Sequence, residues 1–544
     1  MATAQDPVQA DKAASNRYST GKVWLLMTVV IGLGLANAFG ALGGTILLGP
    51  TIQKDFDMST DELQWLGTSF YIPLGCFSLV TGKLADIFGG KRMCLLGMAI
   101  FTSCSVASGF VKSMEPLFVC RGLSGLGSAM ASTAGYPIIA DIFPEGNGRT
   151  LGLALYIAAW PTGVGLGTVC AGFVAYDDWR KYFYLHGGLC GAVILMVLII
   201  LPDQHPDHID FLGQIDWVGN VLVTVGVFLL LYVLSMAPGA KDGWGTPHMI
   251  VLLILAVLVL GAFVAWEYWI EKRGRTPPLL PLGVFTLDHG RVSILCLVAP
   301  FNFIGFSGFM LLTTLYFQEY LELSLRDTAQ HFIPGPISGA FCNILIGFIA
   351  PRVRTQWILA VGVFVSGLSL LLFAAMPVGA SYWGYTLFAM MFSVVGGDFA
   401  GSAGLIYITQ MVRGPTSGMA GGLFNTVVQF GMSMGPCIAT LIFRYTSEAH
   451  ARPRSNLSYD DDAFPKDSYL YGLKRAAWGI AGMCFFAAAI TPFALRGMGH
   501  PRDSCKAHVE SIPPHEQPSV SASESLDEEK RIEYREALPQ LQKS

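Results

Sequence analysis

Two ionisable residues, Asp398 and Arg121, stand inside long apolar stretches, where an unpaired charge is costly. Asp398 lies between glycines in VVGGDFAGSAG. We expect it either to bind and release a proton or to serve as a static partner of another polar group, and the residues favour neither. Arg121 opens the segment RGLSGLG. We expect it to face a polar cavity or a partner; the alternative is that it extends along its stem to water.

Uncharged polar residues in the same apolar stretches are candidates for contacting a small molecule. Asn425 and Gln429 are four residues apart and therefore share one helix face. Asn37, Asn302 and Asn343 occur in similar surroundings. Each of these residues alone more often bridges two helices than contacts a ligand. The acids Glu267 and Glu319 stand at the ends of apolar stretches, and we expect both at the membrane interface.

A short charged turn, GKLADIFGGKRMCLLG, spans Gly82–Gly97 between two apolar stretches. Glycines such as Gly82 and Gly89 allow the tight connection between helices that this length requires. We refer to Gly82–Gly97 as the hairpin. Its charges are concentrated within ten residues, at Lys83, Asp86, Lys91 and Arg92.

The frame of the hairpin recurs about 265 residues later, at Gly347–Gly362, as GFIAPRVRTQWILAVG. The recurrence indicates a duplicated architecture. Pro351 stands where the first copy has Asp86, so the acid belongs to the first half alone. We expect Asp86 to meet a basic group or a helix end and to hold one conformation of the protein as a latch.

Composition places these stretches in a membrane. The 544 residues are 53% hydrophobic and 13% charged, with a mean hydropathy of +0.52, whereas soluble proteins carry about 25% charged residues. The net charge of −4 does not favour nucleic-acid binding. Runs of about 20 apolar residues cross a bilayer as helices, and fourteen occur at about 23–47, 65–85, 93–111, 116–141, 150–174, 184–201, 214–236, 248–269, 292–316, 331–350, 357–375, 383–410, 418–443 and 473–495.

We therefore expect an all-α membrane protein with two pseudo-symmetric six-helix bundles and two extra central helices. Lys and Arg are more frequent in the short loops on the side of the N-terminus, which places that side in the cytoplasm. Asn456 begins an Asn-Leu-Ser sequence in a loop on the outer side and is a candidate for glycosylation. The predicted parts are a cytoplasmic tail (1–22), the first bundle (23–201), the linker helices with their loops (202–291), the second bundle (292–496) with its outer loop (444–472), and a disordered cytoplasmic tail (497–544).

Small residues recur every four positions in the fifth and thirteenth runs, and such stripes let helices approach closely. They comprise Gly163, Gly167 and Gly172 in the fifth run, and Gly422, Gly431, Gly435 and Pro436 in the thirteenth. Ordinary helix packing explains either stripe alone. Their offset of about 268 residues, close to that of the two hairpin copies, supports the duplication.

These features resemble the major facilitator superfamily. The hairpin is similar to its conserved loop G-x-L-a-D-r-x-G-r-[KR], at Gly82, Leu84, Asp86, Gly89, Lys91 and Arg92. Arg121 matches a second motif, and the stripe of the fifth run resembles the antiporter motif G-x3-G-P-x2-G-G. Fourteen runs and the segment 178–180 (Asp-Trp-Arg) are typical of the fourteen-span drug:proton antiporters, particularly fungal ones. The resemblance covers about residues 20–500. Two features depart from that branch: the first run has no acid in Gly43–Leu47, and Thr168 and Ala171 replace a proline and a glycine of the antiporter motif.

The resemblance implies a secondary active transporter, not an enzyme, whose two bundles rock about a central site. It implies proton-coupled export of a small, largely apolar organic compound, such as a drug, toxin or secondary metabolite. We expect a monomer in the plasma membrane or, as an alternative, in the vacuolar membrane. The sequence has no phosphate-binding loop and no metal-ligand spacing, so we expect no cofactor, no metal and no use of ATP. Two other functions stay open: uptake of a small polar solute, by facilitated or proton-coupled movement, and a membrane sensor that transports nothing.

Overall fold

Helices account for nearly all of the regular structure. The computed structural model describes residues 20–40, 44–58, 60–142, 147–202, 215–236, 245–273, 278–349, 352–411, 417–452 and 464–497, and no strand occurs within these ranges. Their α-helices are α1 (Thr20–Ala38), α2 (Gly44–Phe56), α3 (Thr60–Phe88), α4 (Gly90–Ser108), α5 (Met114–Ile142), α6 (Asn147–Val174), α7 (Arg180–Ile200), α8 (Trp217–Met236), α9 (Pro247–Arg273), α10 (Leu287–Leu315), α11 (Leu325–Phe332), α12 (Pro334–Ile349), α13 (Thr355–Ala375), α14 (Thr386–Met411), α15 (Ser417–Ala451) and α16 (Lys466–Ala494).

Ten helices in the described part of the chain are long and apolar enough to cross a membrane. Apolar side chains point outward along them, and α9 shows this most clearly, with exposed Val251, Val257 and Leu258. Only a lipid environment makes such a surface favourable, so the chain is an integral, multi-pass membrane protein. The number of fourteen spans stays a prediction.

In the first run, α1 ends at Ala38, a π-helical turn follows at 39–40, and α2 begins at Gly44; residues 41–43 lie outside the described part. Two predicted boundaries are wrong in detail. The tenth run consists of α11 and α12, which meet at Pro334. The predicted outer loop 444–472 is shorter, because α15 continues to Ala451 and α16 begins at Lys466. Asn456 and nearly all residues of both predicted tails lie outside the described part.

Close glycine contacts repeat in the two halves. A Cβ atom at Gly163 of α6 would lie 2.6 Å from the carbonyl oxygen of Leu35 of α1, and one at Gly431 of α15 would lie 2.6 Å from that of Pro300 of α10. Only glycine allows backbones to approach this closely. The offset between the two contacts is close to that between the hairpin and its copy, so the helices α1–α7 and α10–α16 form two structurally repeated halves.

The halves meet along two seams. In the first seam α3 packs against α15, and in the second α6 packs against α11 and α12. The linker helix α8 lies against the first seam: Tyr232 contacts the ring of Trp65 of α3 at 5.7 Å, and Cys437 Sγ of α15 donates a hydrogen bond to the carbonyl of Ser235 at 3.5 Å. Below, the hairpin end is the end of the bundle that carries Gly82–Gly97, and the other is the opposite end.

Candidate functional site

A central cavity of about 120 Å³ lies between the two halves. Its walls come from α1, α3, α5 and α6 of the first half and from α10, α14 and α15 of the second. Its volume is close to that of engineered cavities that hold a benzene ring. Aromatic rings form much of its lining, at Tyr136, Tyr156, Trp160, Phe303, Phe306 and Phe424.

Asp398 of α14 is the only carboxylate among the described residues that line this cavity, and none of them is Lys, Arg or His. It is 7% exposed. The Nδ2 atom of Asn343 of α12 donates hydrogen bonds to Asp398 Oδ2 at 3.1 Å and to the carbonyl of Gly339 at 2.9 Å. The structure thus brings two predicted site residues together, with Asn343 as the partner that orients the carboxylate.

The amide side chains of the cavity form a directed chain of hydrogen bonds. Gln429 Nε2 donates to Asn425 Oδ1 at 3.2 Å, and Asn425 Nδ2 donates to Ser78 Oγ of α3 at 2.8 Å. Ser78 in turn donates to the carbonyl of Leu74. The chain crosses the first seam, because Asn425 and Gln429 lie on α15. It leaves Gln429 Oε1 without a hydrogen-bond partner.

The two remaining predicted asparagines differ in position. Asn37 of α1 lines the cavity, and its Nδ2 atom donates to the carbonyl of Leu33 at 3.1 Å. Its Oδ1 atom has no hydrogen-bond partner. Asn302 of α10 lies away from the cavity, fully buried within the second half, where its Oδ1 atom accepts a hydrogen bond from Ser366 Oγ at 2.7 Å. Asn302 therefore connects α10 to α13 and does not contact the cavity.

Asp86 lies at the N-terminus of α15. Its Oδ1 atom accepts a hydrogen bond from the N–H of Gly418 at 2.9 Å, and its Oδ2 atom accepts one from the N–H of Met419 at 3.0 Å. The first N–H groups of a helix have no partner within it and carry partial positive charge, so a carboxylate satisfies both needs. Asp86 thereby joins the two halves at the hairpin end; its role as a latch remains a prediction.

Glycines make that contact possible. A Cβ atom at Gly418 would lie 2.5 Å from the carbonyl oxygen of Gly82, and one at Gly422 would lie 2.5 Å from that of Ser78. One turn of α15 is thus pressed against the backbone of α3. Within the hairpin, Gly89 has a φ of 91°, which favours glycine.

The two basic residues at the start of α4 have different surroundings. Lys91 is 8% exposed, and its Nζ atom donates a hydrogen bond to the carbonyl of Leu201, just beyond α7, at 2.7 Å. It thus fixes the hairpin to its own half. Arg92 is exposed.

Arg121 of α5 is 2% exposed, which rules out the alternative that it extends to water. Its Nη1 atom donates to the carbonyl of Gly40 at 3.0 Å, its Nε atom donates to that of Leu66 at 3.3 Å, and its guanidinium lies 4.6 Å from the ring centroid of Phe70. Gly40 belongs to the π-helical turn that follows α1, and Leu66 belongs to α3. Arg121 therefore connects α5 to the end of α1 and to α3.

The glycine stripes serve two surfaces each. Within each half, Gly163 and Gly167 approach α1, while Gly431 and Gly435 approach α10 in the corresponding way. Three other residues of the stripes lie between the halves: Gly172 against α11, Gly422 against α3, and Pro436 in the lining of a second cavity.

That second cavity, of about 320 Å³, lies at the opposite end, between α2 and α3 on one side and α10 and α15 on the other. We call it the vestibule. Lys54 and Glu319 line it and form an ion pair between the halves at 3.8 Å. Glu319, 34% exposed, is at the end of its run as expected. Gln318 Nε2 also joins the halves here, by donating to the carbonyl of Leu47 at 2.9 Å.

The sequence did not identify the aromatic residues of the cavity wall. Tyr156, Trp160 and Phe424 of the cavity wall had no distinguishing signal, because aromatic residues also face lipid. Glu267 is fully buried near the end of α9, where a Cβ atom at Gly219 of α8 would lie 2.9 Å from its Oε1 atom. Its depth at the membrane interface stays a prediction, but its burial against α8 was not predicted.

Two repeated helical halves, membrane-long helices and a cavity at their interface define a multi-pass membrane transporter of the two-bundle type. The chain belongs to the major facilitator superfamily, whose family model matches residues 24–436. It is 25% identical over 520 residues to "MFS-type transporter 1" of Pyricularia oryzae, covering 87% of this chain and 84% of that protein. It is 28% identical over 402 residues to the "Aminotriazole resistance protein" of Saccharomyces cerevisiae, covering 72% of each.

A solved structure supports the fold. The peptide transporter POT superposes with a TM-score of 0.58 at 14% identity, covering 91% of this chain and 100% of that structure. At this identity the likeness extends to the fold alone.

Proposed function

We propose that this protein is a secondary active transporter that exports a small organic compound with a substantial apolar part in exchange for protons. We place it in the fourteen-span antiporter branch and in the plasma membrane. The observation that carries the proposal is the central cavity: it lies at the interface of the repeated halves, is walled by aromatic rings and contains one carboxylate, Asp398.

The cavity offers the means for exchange. A carboxylate that alternately holds a proton and faces a substrate couples the two movements, because both cannot occupy it at once. Asp398 takes this role in place of the first-span acid that the branch usually has. Its bond from Asn343 keeps the carboxylate in position in either state.

The contacts around the cavity support alternating access. At the hairpin end Asp86 and the glycines of α3 and α15 hold the halves together, whereas at the opposite end the vestibule lies between them. Exchange requires that the Asp86 contact break and re-form once per cycle. The name of the yeast relative, a resistance protein, supports export of a foreign compound.

The test begins with a strain that lacks this protein, screened for compounds that it retains or that become toxic. Transport of a responding compound is then measured in proteoliposomes with an imposed pH gradient. We expect Asp398→Asn to abolish the dependence on the gradient, because an amide cannot carry the proton. Glu322→Gln is the matched control: this acid is exposed at the opposite end and pairs with Lys466.

Two results would contradict the proposal. Preserved gradient dependence in a folded Asp398→Asn protein would reject Asp398 as the proton carrier. Lower uptake of an external solute in the deletion strain, without retention of any compound, would instead identify the protein as an importer.

A further inference from the structure

The hydrogen-bond arrangement of the central cavity selects a chemical class of substrate. Four amide or carboxylate side chains line it: Asn37, Asp398, Asn425 and Gln429. One N–H of each of the three amides is directed at a protein acceptor, at Leu33, Ser78 and Asn425. The amide of Asn37 also lies 4.0 Å from Met98 Sδ, whereas Asn425 and Gln429 each keep a second N–H group.

Two amide oxygens and the carboxylate of this set have unused capacity to accept hydrogen bonds. Asn37 Oδ1 and Gln429 Oε1 are buried without a partner, in residues that are 3% and 1% exposed. Asp398 accepts one hydrogen bond from Asn343, whereas a carboxylate offers about four acceptor positions. Buried acceptors without donors are unfavourable, and a ligand that supplies N–H groups relieves that cost.

The charged residues of the two cavities favour a ligand of positive charge. Asp398 is the only charged side chain among the described residues of the cavity wall, and aromatic faces such as those of Tyr156 and Trp160 attract cations. The lining of the vestibule also has an excess of negative charge: of its described charged residues, Asp57 and Glu319 are acids and Lys54 alone is basic. Both cavities along the first seam thus favour a positive ligand.

We infer that the central cavity takes a protonated amine, an organic cation with N–H donors and an aromatic or other apolar body. The inference rests on the proposed function, in that it takes this cavity as the transport site. The inference predicts different affinities for three classes of compound. A primary ammonium satisfies both the charge and the acceptors, a quaternary ammonium satisfies the charge alone, and a neutral alcohol satisfies only part of the acceptors.

Binding to the full-length protein in nanodiscs tests the inference without any gradient. The probes are 2-phenylethylammonium, its N-trimethylated analogue and 2-phenylethanol, titrated by calorimetry. We expect the primary ammonium to bind at least about fivefold more tightly than either analogue. Asp398→Asn should remove the preference over the alcohol. Asn37→Leu should reduce the preference over the trimethylated cation and keep the preference for charge.

If the Asn37 variant does not fold, Gln429→Leu gives a second measurement of the same effect. The control for loss of charge is Glu115→Gln, because Glu115 is an exposed acid on α5. Equal or tighter binding of the alcohol or the trimethylated cation overturns the inference, as does the absence of saturable amine binding up to millimolar concentration. Amine binding by a protein that exports nothing would reject the proposed function and keep the inference. Gradient-driven export of compounds that are not amines would do the reverse.

Discussion

The contact of Asp86 with the N-terminus of α15 makes a quantitative prediction about conformation. Asp86→Asn keeps one carbonyl oxygen for the N–H of Gly418 or Met419 and loses the other acceptor and the charge. A hydrogen bond to a charged group contributes about 1.5–3 kcal/mol, and a charge at a helix end about 0.3–1 kcal/mol. The conformation closed at the hairpin end should therefore lose about 2–4 kcal/mol, which is roughly a 30-fold or larger change in its equilibrium.

Double electron–electron resonance, which measures the distance between two spin labels, reports that equilibrium. Arg92 and Arg354 are exposed at the hairpin end of the two halves and are suitable label positions. Labels on non-canonical ketone side chains avoid reaction with the native cysteines. A closed conformation favoured about 100 to 1 would fall to about 3 to 1 or below, so a second, longer distance should become visible. Glu115→Gln removes a charge far from the hairpin and should leave the distribution unchanged.

Gly418→Ala tests the same contact from α15. Its methyl group would lie 2.5 Å from the carbonyl oxygen of Gly82, so the seam must separate although Asp86 is intact. We expect the long distance in this variant too. An unchanged distance distribution in a folded Asp86→Asn protein would refute the reasoning, because the two N–H bonds would then contribute nothing to closure.

Two further predictions concern stability. Gly163→Ala and Gly431→Ala each place a methyl group 2.6 Å from a backbone carbonyl oxygen, so both should destabilise the protein by about 1–3 kcal/mol. Both variants should lower the temperature of thermal unfolding to a similar extent. A large difference between the two would contradict the structural repeat. Arg121→Met removes the hydrogen bonds to the carbonyls of Gly40 and Leu66, so we expect a loss of about 1–3 kcal/mol. An unfolding temperature equal to that of the parent protein would show that Arg121 does not stabilise the contact of α5 with α1 and α3.

The apolar runs predicted most helices because a membrane requires both length and hydrophobicity. The predicted helix boundaries were wrong where hydropathy did not determine the end of a helix. The backbone at Gly40 and Gly44 is closely approached by His186 and Tyr182, and these contacts come from α7, far away in sequence. The outer extension of α15 to Ala451 carries polar residues, so hydropathy gave no indication of it.

The site was predictable by residue type and not by partner. Asp398, Asn37, Asn425 and Gln429 stood out as polar residues in apolar runs, and all four line the cavity. A helix end was one of the two kinds of partner expected for Asp86, but the sequence could not show which helix supplies it, because its N–H groups lie more than 300 residues away and backbone groups leave no mark in a sequence. The position of Asn302 could not be predicted either, because the spacing of residues defines a helix face and not the neighbour that it meets.

The placement of α8 has a consequence for molecules that are dissolved in the bilayer. The two halves repeat, yet α8 packs on α3 and α15, and so covers the first seam from the lipid side. Among the described helices, neither linker helix packs in this way on α6 and α12, which form part of the second seam. We therefore expect lateral access from the membrane to be one-sided, so that an amphiphilic compound leaving a leaflet reaches the central cavity between α6 and α12.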